Sequence, residues 1–288
     1  MESAGSRELR RRVEERISAW RIVVERMAET ESSILAFGRR DDQPVVLKVI
    51  RNRGDEWRSG EILDAFAGQG VVRVYDYVEG AMLLERLNPG KSLADIALNG
   101  DDNRATEILA EVIGKMSPRG PVSTVATIQE WVKGFERHAA SGNNQISKRL
   151  VLEAHRVYSE LCVSQSRPRL LHGDLHHYNV LLDSERGWLA IDPKGVVGEL
   201  EYEVGAALRN PYERPELFAE PAVIRKRVER FARELKLDAI RTLAWGFAQA
   251  VLSAIWAVED GAAVETGNPW IALANAIRPM LDDVGGRG

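Results

Sequence analysis

Apolar residues at Leu9, Val13, Ile17 and Trp20 recur at helical spacing with Arg and Glu between them, which predicts an amphipathic helix over residues 7–26. The period then shortens. Ser32–Arg39, Pro44–Ile50, Val71–Val78 and Ala81–Leu87 are rich in β-branched and aliphatic residues and broken by polar turns, so they predict four strands. Glu79-Gly80 makes a two-residue hairpin turn, where glycine supplies the positive φ required. Between the second and third strands, DEWRSGEILDAFAG predicts one helix, with Asp55 as N-cap, Trp57, Ile62, Leu63 and Phe66 as its apolar positions, and Gly68 at its end. Pro89-Gly90 interrupts the chain, and helical periodicity dominates beyond it: Ser92–Leu98, Asn103–Met116, Thr127–Ala139 and Ile146–Gln165, then 223–235, 240–258 and 269–284. The expected class is α+β, a small antiparallel-sheet lobe followed by a larger helical lobe.

Composition narrows the partners. The 288 residues are 44% apolar and 28% charged, enough for a sizeable core. Lys and Arg number 39 against 43 Asp and Glu, a net charge of −4, so there is no basic field for nucleic acid. The arginines of RELRRR are interleaved with glutamates and read as a solvated helix face. Cys162 is the only cysteine, which excludes a disulfide framework and a cysteine zinc site and fits a reducing compartment. The N-terminal stretch lacks the apolar segment of a signal peptide. The most apolar run, Ala244–Val258, contains Gln249 and falls short of the roughly 20 residues that span a bilayer, so it reads as a buried helix. The expectation is a cytoplasmic protein that handles small molecules, without nucleic acid or membrane as partner, as a monomer or weak dimer.

The chemistry is concentrated in LHGDLHHYNVLLDSERGWLAIDPKG, residues 171–195. Asn179–Asp183 and Trp188–Asp192 read as two short strands around the turn SERG; symmetric pairing about the Glu185-Arg186 bond sets Asn179 opposite Asp192. An amide oxygen and a carboxylate so placed suit Mg²⁺, a hard cation that prefers oxygen. Asp174 lies on the preceding loop, facing whatever the metal holds. His172, after two leucines, reads as a loop-bracing side chain. His172, Asp174, His176 and His177 also suggest a metallohydrolase, but the two remaining histidines, His138 and His155, form no ligand-spaced pair. Lys48 shares a strand face with Val46 and Ile50; by itself it reads as a lysine reaching to solvent from an edge.

Taken together, H-G-D-x-x-x-x-N at His172, Gly173, Asp174 and Asn179, Asp192 downstream and Lys48 upstream resemble the kinase-like phosphotransferases, specifically the aminoglycoside phosphotransferase family. The tail Ile191–Pro211 looks most like the streptomycin 6-kinase and hydroxyurea-resistance branch. The resemblance covers most of the chain. It implies a nucleotide lobe over residues 1–87 and a helical lobe over 88–288 that carries the catalytic loop, metal site and acceptor site. It further implies ATP and Mg²⁺ as cofactors, a small-molecule hydroxyl as acceptor, and phosphoryl transfer driven by positioning and charge neutralisation. Asp174 matches the catalytic aspartate, with His172 beside it in the motif; Asn179 and Asp192 match the metal ligands. Lys48 becomes the phosphate-binding lysine, with Glu61 as its partner and Glu56 as the fallback, and Glu85 to Leu87 become the connection that meets the adenine edge. The chain departs from the pattern in two places. SSILAFGRR holds only Gly38 where protein kinases carry a glycine-rich loop, and Pro193-Lys194 replaces the Phe after the metal-binding Asp, which points to a constitutively active enzyme. Glu199, Glu201 and Glu203, with Trp256 and Glu259 on the apolar helix, are the candidates for holding a cationic acceptor such as streptomycin; exposed helix acids and core packing of Trp256 are the plainer readings. A metabolic kinase of choline, a sugar or homoserine, and an inactive nucleotide-binding pseudokinase, are the alternatives.

Overall fold

Helix formation at the N-terminus stops earlier than its periodicity predicts. In the computed structural model, which describes residues 4–120, 122, 125–264 and 267–285, α1 (Ala4–Ala19) is followed by Arg21 at a left-handed φ of 52°. The chain then continues as β1 (Val23–Glu29), paired antiparallel to β2 (Ser33–Arg40). As an edge strand β1 has neither face fully buried, and Val23 and Met27 are exposed. That is why it carries no hydrophobic alternation to be read.

β3 (Gln43–Ile50), α2 (Ser59–Phe66), β4 (Val74–Val78) and β5 (Ala81–Glu85) follow, and the five strands form one antiparallel sheet in the order β1-β2-β3-β5-β4. Side chains alternate across a strand, and β3 uses both faces. Val45, Leu47 and Val49 pack with Leu9 and Val13 of α1, whereas Ile50 joins the larger core with Ile62, Leu63 and Phe66 of α2. A single 3-10 turn, Asp55–Arg58, precedes α2, whose end is capped by Ala67 in the left-handed region rather than by Gly68.

Past β5 the chain is mostly helical. β6 (Pro89–Ser92), where a helix start was expected, leads into α3 (Ala94–Leu98) and α4 (Asp102–Lys115). The predicted Thr127–Ala139 helix divides into α5 (Ile128–Trp131), opened by a Thr127–Glu130 capping box, and α6 (Lys133–Ser141). α7 (Lys148–Ser164) is followed by β7 (Arg169–Leu171), the hairpin β8 (Val180–Asp183) and β9 (Gly187–Ala190), and β10 (Val196–Gly198). The remaining helices are α8 (Leu200–Leu208), α9 (Pro215–Phe218), α10 (Pro221–Leu235), α11 (Ala239–Glu259) and α12 (Pro269–Gly285). α11 has 21 residues, so by length alone it could cross a bilayer, which the apolar run by itself could not. Its most apolar window is 72% buried inside the protein, and Trp245, Phe247, Val251 and Leu252 belong to the main core. This is the buried helix expected. The architecture is the two-lobed α+β arrangement, with β6-β8-β9 and β7-β10 as two small sheets that carry the motif-bearing loops.

The hairpin register differs from the symmetric pairing by one residue. Val180 faces Ala190 and Asp183 faces Gly187. Asp183 Oδ1 accepts hydrogen bonds from Glu185 N and Arg186 N, and Gly187 adopts φ 74°, giving a three-residue loop, 184–186, that closes one residue sooner.

Candidate active site

A cavity of about 320 Å³ lies beneath the five-stranded sheet. Val46, Val72, Leu84, Leu181 and Ile191 give it apolar walls, the extended chain from Glu85 to Gly90 closes one end, and Lys48 and Asp192 stand at the other. A slot with apolar walls, backbone groups at one end and charge at the other suits a flat heterocycle joined to phosphates. Leu87 lines it. The carboxylate of Glu85 is engaged elsewhere: it accepts from Arg73 N at 2.8 Å and pairs with Arg186 of the hairpin loop, tying β5 to the hairpin.

Lys48 is 4% exposed, not an edge lysine at solvent. Its Nζ lies 3.1 Å from Glu56 Oε2 and 2.9 Å from Asp192 Oδ1. Burial alone would lower its pKa, but the two carboxylates outweigh that and raise it, so the lysine is an ammonium. The carboxylate beside Lys48 is therefore Glu56 and not Glu61. The 3-10 turn brings residue 56 to the ammonium before α2 begins, while the charge of Glu61 acts on the Tyr77 phenol of β4.

The loop from His172 to Asn179 is held by a dense set of bonds. Glu203, buried on α8, accepts from His172 N at 2.7 Å and Gly173 N at 3.0 Å. His172 Nε2 bonds the Ile191 carbonyl at 2.7 Å, and Asp174 N donates to His172 Nδ1 at 3.3 Å, so the ring braces the loop. Burial lowers its pKa to about 4, which keeps the imidazole neutral. Asn179 Nδ2 donates to the Asp174 carbonyl at 3.0 Å. The Asp174 carboxylate lies 3.2 Å from Arg209 through Oδ1 and 3.2 Å from Lys194 through Oδ2. Burial would raise its pKa, but Lys194, His176, Arg209 and His172 draw it well below the usual carboxylate range.

Asn179 sits at the end of a short 3-10 turn, and Asp192 follows β9, so the two are not a cross-strand pair. They are neighbours nonetheless: Ile191 N donates to the Asn179 carbonyl at 2.9 Å. The Asn179 amide uses its nitrogen on Asp174, and Lys48 takes only Oδ1 of Asp192. An amide oxygen and a carboxylate oxygen remain as a hard donor set that fits Mg²⁺. A histidine-based metal centre does not fit. Among the described residues no three or more His, Cys, Asp or Glu side chains are grouped to hold a metal, and His172 and His177 are wholly buried.

The acidic acceptor candidates divide into two groups. Glu199 and Glu203 are each 1% exposed and serve the core. Glu199 accepts from Ser166 N, Arg241 and Trp245 Nε1, and Glu203 holds the loop, so neither faces an acceptor. Glu201 is half-buried and accepts from Asp238 N at 3.4 Å, at the start of α11. Trp256 and Glu259, in contrast, line a cavity of about 400 Å³ together with Asp55, Trp131, Lys194 and Asp260. Trp131 and Trp256 meet edge to face at 5.5 Å, and Arg137 grips Glu259 through two 2.9 Å bonds. Trp131 had no signal in the sequence, and Arg209 stands within the tail Ile191–Pro211 with nothing there to mark its contact with Asp174; both meet the site only through folding.

An ammonium held by two carboxylates, an aspartate on a braced loop and an amide–carboxylate oxygen pair, set on this two-lobed scaffold, define a kinase-like phosphotransferase acting on a hydroxyl group. Residues 19–261 match the family model described as aminoglycoside/hydroxyurea antibiotic resistance kinase, and the chain belongs to that family. It is 35% identical to a streptomycin 3''-kinase of Klebsiella pneumoniae over 84% of this chain and 91% of that one. It is 29% identical to a streptomycin 6-kinase of Streptomyces glaucescens over 92% and 88%. In fold it is similar to the aminoglycoside phosphotransferase APH(4)-Ia, solved with ADP and hygromycin B, at TM-score 0.65 and 16% identity, covering 92% of this chain and 97% of that one.

Proposed function

We propose that this chain transfers the terminal phosphoryl group of ATP, with Mg²⁺, to a hydroxyl of streptomycin or of a closely related cationic aminoglycoside. The observation that carries the reading is the ion pair of Asp174 with Lys194, which ties the motif aspartate to the second of two cavities. One ends at Lys48 and Asp192; the other contains Lys194, two tryptophans and the acids Asp55, Glu259 and Asp260. Residues 1–87 serve as the nucleotide lobe and 88–288 as the lobe for catalysis and acceptor binding. Lys48, fixed by Glu56, binds phosphate oxygens, and backbone groups from Glu85 to Leu87 meet the base. Asn179 and Asp192 hold the metal, which when bound neutralises phosphate charge. Asp174 orients the acceptor hydroxyl and takes its proton as the new bond forms; its low pKa suits late transfer, when the hydroxyl has become acidic. His172, neutral and braced, positions that loop.

The acidic, tryptophan-lined cavity favours a cationic acceptor through charge and ring contacts. The relatives named for streptomycin support the resistance reading over a metabolic kinase, and they differ in the hydroxyl their names specify. The test is ADP release with Mg-ATP against streptomycin, other aminoglycosides, hydroxyurea, choline and homoserine, with phosphorus NMR of the product to locate the phosphate. Streptomycin-dependent turnover that disappears in Asp174→Ala is the expected result. Turnover confined to choline or homoserine, or retained by Asp174→Ala, would refute it.

A further inference from the structure

Pro193-Lys194-Gly195 occupies the position after the metal-binding aspartate, and its backbone is pinned on every side. Ser59 Oγ of α2 donates to the Pro193 carbonyl at 2.7 Å, Gly195 N donates to the His172 carbonyl at 2.9 Å, and Val196 pairs with Leu171. A Cβ on residue 195 would lie 2.3 Å from Ile62 Cδ1, so α2 packs directly against this turn. From the fixed backbone only the Lys194 side chain extends, 29% exposed, into the acceptor cavity, with its Nζ 3.2 Å from Asp174 Oδ2. Two residues earlier, Asp192 lines the nucleotide cavity. The short segment from Asp192 to Lys194 thus puts one side chain into each cavity. Arg209, the other cation on Asp174, is held from behind by Gln249 Oε1 at 3.1 Å and is 10% exposed.

We infer that Lys194 is a catalytic residue that leaves Asp174 and binds the phosphoryl group in flight. This rests on the assignment of Asp174 as the group that receives the acceptor hydroxyl. A hydroxyl bonded to the Asp174 carboxylate lies about 2.6–3.2 Å from it. With Lys194 Nζ 3.2 Å from the same carboxylate, the ammonium comes within roughly 6 Å of the attacking oxygen, inside the reach of a four-carbon stem. As the acceptor oxygen bonds to phosphorus, the hydroxyl proton passes to Asp174 and the bond from phosphorus to the ADP oxygen breaks. Lys194 exchanges its carboxylate partner for an equatorial phosphoryl oxygen. Charge spread over those oxygens is what a phosphotransferase must neutralise, and this cation reaches the transferring group from the acceptor side, opposite Lys48.

The test compares wild type, Lys194→Ala and Lys194→Arg in two ways. In turnover, Lys194→Ala should lower kcat about 10²- to 10³-fold while leaving KM for ATP and acceptor within about threefold, and Lys194→Arg should restore part of the loss. Independently of any acceptor, the affinity for ADP with aluminium fluoride, a mimic of the transferring group, is measured against that for ADP alone in Mg²⁺. Lys194→Ala should cut that ratio at least tenfold, and should do so equally in an Asp174→Asn background. A residue that only neutralises Asp174 would have no further effect in that background, and an unchanged ratio there overturns the inference. If no acceptor is found for wild type, the acceptor assignment fails while the analogue ratio still decides the role of Lys194.

Discussion

Glu203→Ala removes the acceptor of two backbone N–H groups directly behind Asp174, the buried His172 N at 2.7 Å and the part-buried Gly173 N at 3.0 Å. An orphaned buried donor costs about 1–3 kcal/mol and a part-buried one less, so the variant should lose about 2–4 kcal/mol, a large share of the roughly 5–15 kcal/mol that holds a typical domain folded. Glu203→Gln keeps one oxygen and should lose about half. The carboxylate also carries a pH signature. Burial outweighs the two amide donors and raises the Glu203 pKa from 4.5 to about 7. The folded chain thus binds this proton more tightly than the unfolded chain does. The resulting stability is complete below pH 4.5 and is lost as pH rises through 7, a change of about 3 kcal/mol in total. Urea denaturation of wild type and Glu203→Gln across pH 5 to 8 checks both points: the stability difference between them should shrink or reverse as pH rises. Parallel curves, or an alanine variant within about 1 kcal/mol of wild type, would refute the reasoning.

Other expectations follow from the same geometry. Glu56→Gln should weaken Mg-ATP binding about tenfold by loosening Lys48, whereas Glu61→Gln should change it less than threefold, as measured by calorimetry; the reverse order would restore Glu61 as the partner. Trp256→Leu and Glu259→Gln should raise KM for streptomycin about three- to thirtyfold with little change in KM for ATP, and equal effects on both substrates would place the acceptor elsewhere. Glu199→Gln should destabilise the chain by about 1–3 kcal/mol in denaturation experiments while sparing acceptor affinity, because its partners are the part-buried Arg241 and the buried Trp245.

The central motif was legible because its parts are close in sequence: a histidine, an aspartate and an asparagine within eight residues must share one loop, and Asp192 returns beside it just past the hairpin. What escaped sequence reading depends on local geometry or on distant contacts. A single 3-10 turn decides between Glu56 and Glu61, and no period of 3.6 announces it. The hairpin register turned on whether Gly187 joins the loop or the ladder, which the Asp183 side chain settles through two backbone bonds. β1 lacks a hydrophobic face and so resembled the tail of the preceding helix. Glu199 and Glu203 looked like surface acids because the residues that bury and bond them come from elements up to 46 positions away.

The bond from Ser59 to the Pro193 carbonyl, with Ile62 seated on Gly195, fastens the helix behind Lys48 to the turn behind Asp192. Signalling kinases gain an off state by letting such pieces separate; here separation would break a buried hydrogen bond and an apolar contact together.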